Sequence, residues 1–239
     1  MFPYPLANIL FLDIETVPQY ASYEDVPDAW KELWDHKASF LLKDKQTETP
    51  ETIYNRAGIY AEFGKIICIS CGVISGTGKE KRLSLKSFYG DDEQTVLQQF
   101  SDMLAKWENG PARYLCAHNG KEFDFPYLCR RFIINEMTVP AILQLSGKKP
   151  WEITHIDTLE LWKFGDYKSY TSLNLLAHAL NIPTPKDDID GSKVFEVYWL
   201  QHQVQRIVTY CQKDVVTVAQ VFLKLSGEPM IKEENIDIK

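Results

Sequence analysis

The feature that most constrains the fold is an apolar run that ends in two acids, within ILFLDIET at residues 9–16. Its four apolar residues at 9–12 predict a strand buried on both faces, as in a sheet covered by helices. Asp13 and Glu15 follow at alternate positions, so on an extended strand both side chains point to the same side. Like charges this close repel, and burial increases the repulsion. Either the strand ends in water here, or a bound cation compensates the two carboxylates.

Length and composition are those of a globular protein with one domain. The chain has 239 residues, of which 45% are hydrophobic and 25% charged. Its 26 basic and 33 acidic side chains give a net charge of −7. Duplex nucleic acid is bound mainly through phosphate neutralisation, so an acidic protein needs a local site for any nucleic-acid role. We expect no signal peptide and no membrane span.

The five cysteines predict a reducing compartment. They are odd in number and lie in apolar stretches, which indicates free thiols and a cytoplasmic location. Cys68 and Cys71, in the segment CISC, have the spacing of a redox or zinc pair. They fall in a predicted strand, however, where positions i and i+3 point to opposite faces. We therefore interpret both as core residues.

Hydrophobic periodicity predicts alternating strands and helices after the first strand. Two strands form a hairpin around a glycine turn, and the elements that follow alternate in type. The predicted strands are at 65–75, 81–90, 113–119 and 153–162 (the last a strand or an extended segment), and the predicted helices are at 91–108, 122–137, 169–182 and 203–225. An antiparallel hairpin extended by further strands, with helices between them, indicates an α/β domain with a mixed sheet.

Two segments depart from this alternation. Residues 19–63 are polar, acidic and aromatic and read as an insertion, with one amphipathic helix candidate at 24–36. We interpret its aromatic residues, including Trp30, Trp34 and Tyr54, as core packing in preference to base stacking. Residues 226–239 are charged and lack an apolar stripe, so we expect a flexible tail. The domain is thus predicted at 1–225, with the insertion inside it.

Two more acids lie beside predicted helices. Asp124 begins a helix, where the helix dipole alone favours a carboxylate by roughly 0.3–1 kcal/mol. Asp214 follows Tyr210 by four residues, so the two share one helix face, among apolar neighbours. Taken singly, each acid has a structural explanation. Together with Asp13 and Glu15 they form a set of four carboxylates, which suits two hard cations bound through oxygen.

Three motifs resemble those of the DEDD superfamily of 3′–5′ exonucleases, in its tyrosine subclass (DEDDy). FLDIET resembles the first motif, NGKEFDFPYL the second and YCQKD the third. The likeness is greatest to the proofreading exonuclease domain of family-B DNA polymerases and its stand-alone relatives, which carry a segment similar to DGSKVFEVYW. The resemblance implies a ribonuclease-H-like fold, with a mixed five-stranded sheet and helices on both faces.

The resemblance also implies a role for each acid. Asp13, Glu15 and Asp214 would hold one of two divalent cations, Mg²⁺ or Mn²⁺. Asp13 would bridge to the second cation, which Asp124 would hold directly or through water. Tyr210 would orient the attacking water. All five are therefore candidate catalytic residues.

The implied substrate is the 3′ end of a single-stranded nucleic acid, with DNA favoured over RNA and nucleoside monophosphates released. The candidate substrate-binding residues lie in or beside the motifs: Thr16, Asn119, Lys121 and Phe123. Candidate phosphate contacts are Lys121, Arg130, Arg131, Lys163 and Lys168. Two alternatives stay open: an exoribonuclease, and a nucleic-acid-binding protein of this fold without catalysis.

Overall fold

The computed structural model describes residues 4–43, 47–108, 110, 112–166, 170–184 and 189–239. The strands are β1 (Ile9–Pro18), β2 (Gly64–Ser75), β3 (Arg82–Tyr89), β4 (Tyr114–Ala117), β5 (Ile156–Asp157) and β6 (Ile236–Ile238). The helices are α1 (Asp28–Leu41), α2 (Glu93–Trp107), α3 (Asp124–Ile134), α4 (Thr158–Lys163), α5 (Leu173–Ala179) and α6 (Val204–Leu225).

The strands form one mixed sheet in the order β5-β4-β1-β2-β3-β6. The predicted hairpin is confirmed, because β2 pairs antiparallel with both β1 and β3. On the other side of β1, the strands β4 and β5 are added in parallel. The mixed α/β sheet predicted from the element order is therefore present.

Helices cover both faces of the sheet, and β1 lies between them. Leu10, Leu12 and Ile14 pack into the core that α2 and α3 contribute to. The alternate residues Ile9 and Phe11 pack against α6. Burial on both faces is what the apolar run predicts, so β1 is a central strand. Within the described ranges, none of the helices has both the length and the hydropathy that crossing a bilayer requires.

The sheet has six strands instead of five, because the C-terminal segment packs. β6 pairs in parallel with β3. The side chain of Gln220, on α6, bonds both the N–H and the carbonyl of Ile231, at 3.0 and 2.7 Å. Lys81 is buried and pairs with Glu228 at 2.8 Å. The expectation of an unpacked tail at 226–239 is wrong, since its few apolar residues find partners on β3 and α6.

The predicted fifth strand is also corrected. Only Ile156–Asp157 pair with β4, and the chain turns into α4 directly afterwards. The side chain of Asp157 accepts the N–H of Leu159, as an N-cap residue does. Residues 158–163 therefore leave the sheet because a capped helix begins there.

The insertion forms a small aromatic core of its own. Trp34 is fully buried and contacts the rings of Tyr54 and Phe63 edge-on, so the predicted core packing is confirmed for Trp34 and Tyr54. The insertion docks on β1 through the carbonyl of Gly58, which accepts the hydroxyl of Thr16 at 2.8 Å. A Cβ at Gly58 would lie 2.8 Å from the main-chain carbon of Val17, so this close approach requires glycine.

A buried ion pair fixes α3 against α2. Arg131 is 3% exposed and bonds both carboxylate oxygens of Glu93. Glu93 also accepts the N–H of Ile66 at 2.7 Å and the amide of Asn135 at 2.9 Å, while Arg131 donates to the carbonyl of Ala61 at 2.8 Å. The prediction that Arg131 contacts phosphate is wrong, because its guanidinium is already used inside the core.

Candidate active site

β1 brings the first two acids together. Asp13 and Glu15 lie on the α6 side of the strand, and a bulge follows between Glu15 and Thr16. One carboxylate oxygen from each acid and the sulfur of Cys211 lie within 4.8 Å of one another. Bulges re-aim side chains next to functional sites. The middle of β1 thus places two carboxylates against α6.

α6 supplies the third acid and the tyrosine. The helix packs on the sheet through an apolar stripe that includes Val215 and Val218. Tyr210 and Asp214 lie one turn apart on this helix, and the Tyr210 hydroxyl bonds the Asp214 carboxylate. The spacing of the two residues predicts that they share a helix face, and α6 has this arrangement.

α3 supplies the fourth acid at its first residue. Asp124 is buried, and its carboxylate accepts a hydrogen bond from the backbone of Ile14. The turn before α3 is tight: Asn119 has φ of 60°, and a Cβ at Gly120 would lie 2.4 Å from the Cβ of Ala117. A left-handed asparagine and a glycine are the residues such a turn requires.

Three of the site carboxyls have raised pKa values, and the charge of Asp214 contributes to each shift. Burial raises the pKa of Asp13 well above its usual range, and Glu15, Asp214 and Asp124 add to the shift. Burial likewise raises the pKa of Glu15, with Asp214 as the largest charge contribution. Burial also raises the pKa of Asp124 to about 7, with smaller contributions from nearby carboxylates. Acids from β1, α3 and α6 therefore share one low-dielectric site.

The donor set fits a hard divalent cation. Asp13 Oδ2 is buried without a hydrogen-bond partner in the described part of the chain. The other such atom there, Arg113 Nε, belongs to a guanidinium that donates to the Ala7 carbonyl at 2.9 Å. Buried polar atoms are rarely left unpaired, so Asp13 Oδ2 needs a ligand. The predicted ligands Asp13, Glu15, Asp124 and Asp214 would supply carboxylate oxygens, which Mg²⁺ and Mn²⁺ prefer.

One acid beside the site was missed by the sequence reasoning. Asp157 is 3% exposed, and its charge contributes to the raised pKa of Asp124. Its oxygens accept the backbone N–H groups of Asn119, Lys121 and Leu159. The signal available in the sequence was an aspartate directly before a helix start, in IDTLEL.

The segment DGSKVFEVYW packs against the part of α6 that carries Tyr210. A π-helical stretch at Glu196–Leu200 includes the last residues of the segment, and Val197 packs in a cluster with Ile207 that Tyr210 joins. Trp199 donates its ring N–H to the carbonyl of Pro18, at the end of β1, at 3.1 Å. π-helical turns are frequent at functional sites. This segment therefore ties the start of α6 to the strand that carries Asp13 and Glu15.

The predicted substrate-binding residues lie around this site in different states. The Thr16 hydroxyl bonds the Gly58 carbonyl, which leaves its main chain as the part that could face a substrate. Asn119 forms the turn before α3, and the ring of Phe123 packs against that of Tyr127 at 5.4 Å between ring centres, tilted by 50°. The ammonium group of Lys121 pairs with Glu160 at 2.7 Å.

The other predicted phosphate contacts differ in position. Arg130 is exposed and Lys163 half-buried, whereas Lys168 lies outside the described residues. Tyr170, which the sequence analysis did not single out, lies beside the site. Tyr170 is 66% exposed, and Asp124 and Asp157 are close enough to add to the rise that burial causes in its pKa.

Two comparisons with known proteins bear on the family and the fold of the chain. Residues 59–234 match the model of a family described as predicted 3′–5′ exonucleases related to the exonuclease domain of PolB. The structure is similar to that of the family-B DNA polymerase from the hyperthermophilic archaeon Pyrobaculum calidifontis, with a TM-score of 0.53 and 16% identity. That match covers 96% of this chain and 27% of the polymerase, so the chain spans about a quarter of its length. No curated protein matches the chain.

Proposed function

The chain belongs to the family of predicted 3′–5′ exonucleases related to the exonuclease domain of PolB, and from this premise we propose that it removes nucleotides from the 3′ end of single-stranded DNA. The reaction would be hydrolysis of the last phosphodiester bond, with two divalent cations, Mg²⁺ or Mn²⁺, in the carboxylate site. The products would be a nucleoside 5′-monophosphate and a strand shortened by one residue.

The observation that carries this proposal is the buried Oδ2 atom of Asp13, which has no hydrogen-bond partner among the described residues and lies among three other acids. Several carboxylates that raise one another's pKa values are costly for the fold without a counter-charge. Folding alone does not require carboxylates here, because apolar side chains could pack at the same positions. A bound cation pair removes the cost, and phosphodiester hydrolysis is a reaction that uses such a pair.

In the proposed site the five residues divide into two roles. Asp13, Glu15 and Asp214 would hold one cation, and Asp13 and Asp124 the other. When bound, the cations would supply positive charge that lowers the pKa of a water and stabilises the leaving oxygen. Tyr210 would hold that water in line with the phosphorus. The oxygen of the water forms a new bond to phosphorus, the bond from phosphorus to the 3′ oxygen of the preceding nucleotide breaks, and that oxygen takes up a proton.

Preference for a single strand is supported by charge and by an aromatic side chain. With a net charge of −7 the protein cannot rely on general attraction to phosphates. Tyr170 is exposed beside Asp124, where its ring could stack on a base. Stacking of this kind is worth roughly 1–3 kcal/mol per base and needs an unpaired strand.

The test is digestion of matched DNA and RNA oligonucleotides labelled at the 5′ end, in Mg²⁺ and in Mn²⁺. We expect a ladder that shortens one nucleotide at a time from the 3′ end of DNA, and faster digestion of the single strand than of a blunt duplex. Asp13→Ala should abolish the ladder. The control is Asp102→Asn, which changes an exposed aspartate on α2 and should digest at the wild-type rate.

Three results would contradict the proposal in different ways. Digestion of RNA in preference to DNA would identify an exoribonuclease with the same site. Binding of either oligonucleotide with no cleavage in either metal would identify a non-catalytic binding protein. Wild-type turnover in Asp13→Ala would remove the assignment of the carboxylate site.

A further inference from the structure

Asp157 connects two segments that border the carboxylate site. Its Oδ1 atom accepts the N–H of Asn119 at 2.9 Å and the N–H of Leu159 at 2.9 Å. Its Oδ2 atom accepts the N–H of Lys121 at 3.1 Å. One buried carboxylate thereby caps α4 and also holds both ends of the turn that precedes α3.

The turn at residues 119–121 fixes the position of the first residues of α3. The carbonyl of Asn119 accepts the N–H of Phe123 at 3.0 Å, and the carbonyl of Gly120 accepts the N–H of Phe125 at 2.9 Å. Asp124 lies between these two anchored residues. A shift of the turn therefore moves the main chain on both sides of the Asp124 carboxylate.

Asp157 itself is not suited to hold a cation. Its two oxygens together accept three backbone N–H groups, and the residue is 3% exposed. Asp13 shows the opposite pattern, with a buried oxygen that has no partner in the described chain. The hydrogen bonds thus distinguish the two aspartates. Asp157 has its partners within the fold, whereas Asp13 requires a ligand.

We propose that Asp157 is a positioning residue, which fixes the turn at residues 119–121 so that Asp124 can hold the second cation. The inference rests on the proposed function, since it assigns a support to one of the two cation sites. Partners that orient a ligand from outside the coordination shell typically contribute 10–100-fold to metal affinity. The first site, on β1 and α6, does not depend on this turn.

Two substitutions separate the contacts of Asp157. Asp157→Asn keeps one oxygen but sets an amide N–H against the N–H of Lys121. Asp157→Ser retains an N-cap for α4, since serine caps helices well, but is too short to hold the turn. The matched control is Glu160→Gln, which removes the exposed ion pair with Lys121 between the same two segments. An exposed pair of this kind contributes little.

The measurement is a count of bound Mn²⁺ from the electron paramagnetic resonance signal of the free ion. Each protein is titrated with Mn²⁺ in the presence of a thymidine oligonucleotide whose 3′-terminal linkage is a phosphorothioate. Circular dichroism checks that each variant is folded. We expect two ions in the wild type and in Glu160→Gln. In both Asp157 variants the second ion should bind 10–100-fold more weakly, with the first within about threefold of wild type.

The outcomes distinguish this inference from the proposed function. A second ion bound within threefold of wild type in both Asp157 variants overturns the positioning role. Loss of both ions, or unfolding of both variants, also overturns it, because Asp157 would then support the whole fold and not one ligand. A wild-type protein that binds no Mn²⁺ and cleaves no oligonucleotide overturns the proposed function instead.

Discussion

Replacing His155 with glutamine should remove a pH dependence of folding stability that the wild-type protein shows below pH 7. His155 is 5% exposed and packs against the ring of Phe125 at 5.2 Å. Its Nδ1 atom accepts the N–H of Leu115 at 3.3 Å, and its Nε2 atom lies 2.8 Å from the carbonyl of Ile142. Because Nδ1 is an acceptor, Nε2 must carry the proton, and a second proton at Nδ1 would break the bond to Leu115.

The magnitude follows from the difference in pKa between the folded and unfolded chains. Burial, with Lys148 and Lys121 adding to it, lowers the pKa of His155 to about 4, against roughly 6.5 in the unfolded chain. As pH falls, the unfolded chain binds this proton first, so the folded state loses stability. The loss from His155 is about 1.4 kcal/mol at pH 5.5 and about 2.5 kcal/mol at pH 4.5. Above pH 7 it is absent.

The assay is urea unfolding in EDTA at pH 7.5, 6.5, 5.5 and 4.5, followed by circular dichroism. The site carboxylates titrate equally in wild type and variant, so they cancel in the difference between the two unfolding free energies. The unfolding free energy of the wild type minus that of His155→Gln should fall by about 2.5 kcal/mol from pH 7.5 to pH 4.5. The matched control is His178→Gln, which changes an exposed histidine. A flat difference for His155→Gln would show that the buried ring accepts a proton without cost.

Three further variants test separate parts of the structure. Glu93→Gln should cost roughly 3–5 kcal/mol in urea unfolding, because it leaves the Arg131 charge buried without its counter-ion; a loss below 1 kcal/mol would refute this. Tyr210→Phe should slow single-turnover digestion by ~10²–10³ while Mn²⁺ binding is retained, whereas Asp214→Asn should lose both; wild-type digestion by Tyr210→Phe would make the tyrosine a packing residue. Asp13→Asn should raise the unfolding free energy in EDTA, since repulsion with the other acids is relieved, and a lower value would contradict the crowding.

The sequence was sufficient where the determining pattern is local. Four apolar residues before Asp13 predict a strand covered on both faces, and β1 has that position in the sheet. The spacing of Tyr210 and Asp214 predicts one helix face, and α6 presents both to the same site. Asp124 at a helix start is likewise readable from its neighbours. Each of these follows from a period of two or 3.6 residues, which the chain displays without reference to its partners.

Tertiary structure decided whatever depends on a distant partner. The final strand forms because β3 has a free edge, and Lys81 meets Glu228 across 147 positions of sequence. The sequence suggests that Arg131 is a surface cation. In the structure its side chain is buried and bonds Glu93. Asp157 and Asp13 are both aspartates on strands of the sheet. Asp157 accepts N–H groups from a turn 36 and 38 positions away, whereas Asp13 keeps one buried oxygen that has no hydrogen-bond partner in the described ranges. Hydrogen-bond partners of buried polar groups are set by the packed fold, so their roles become distinct only there.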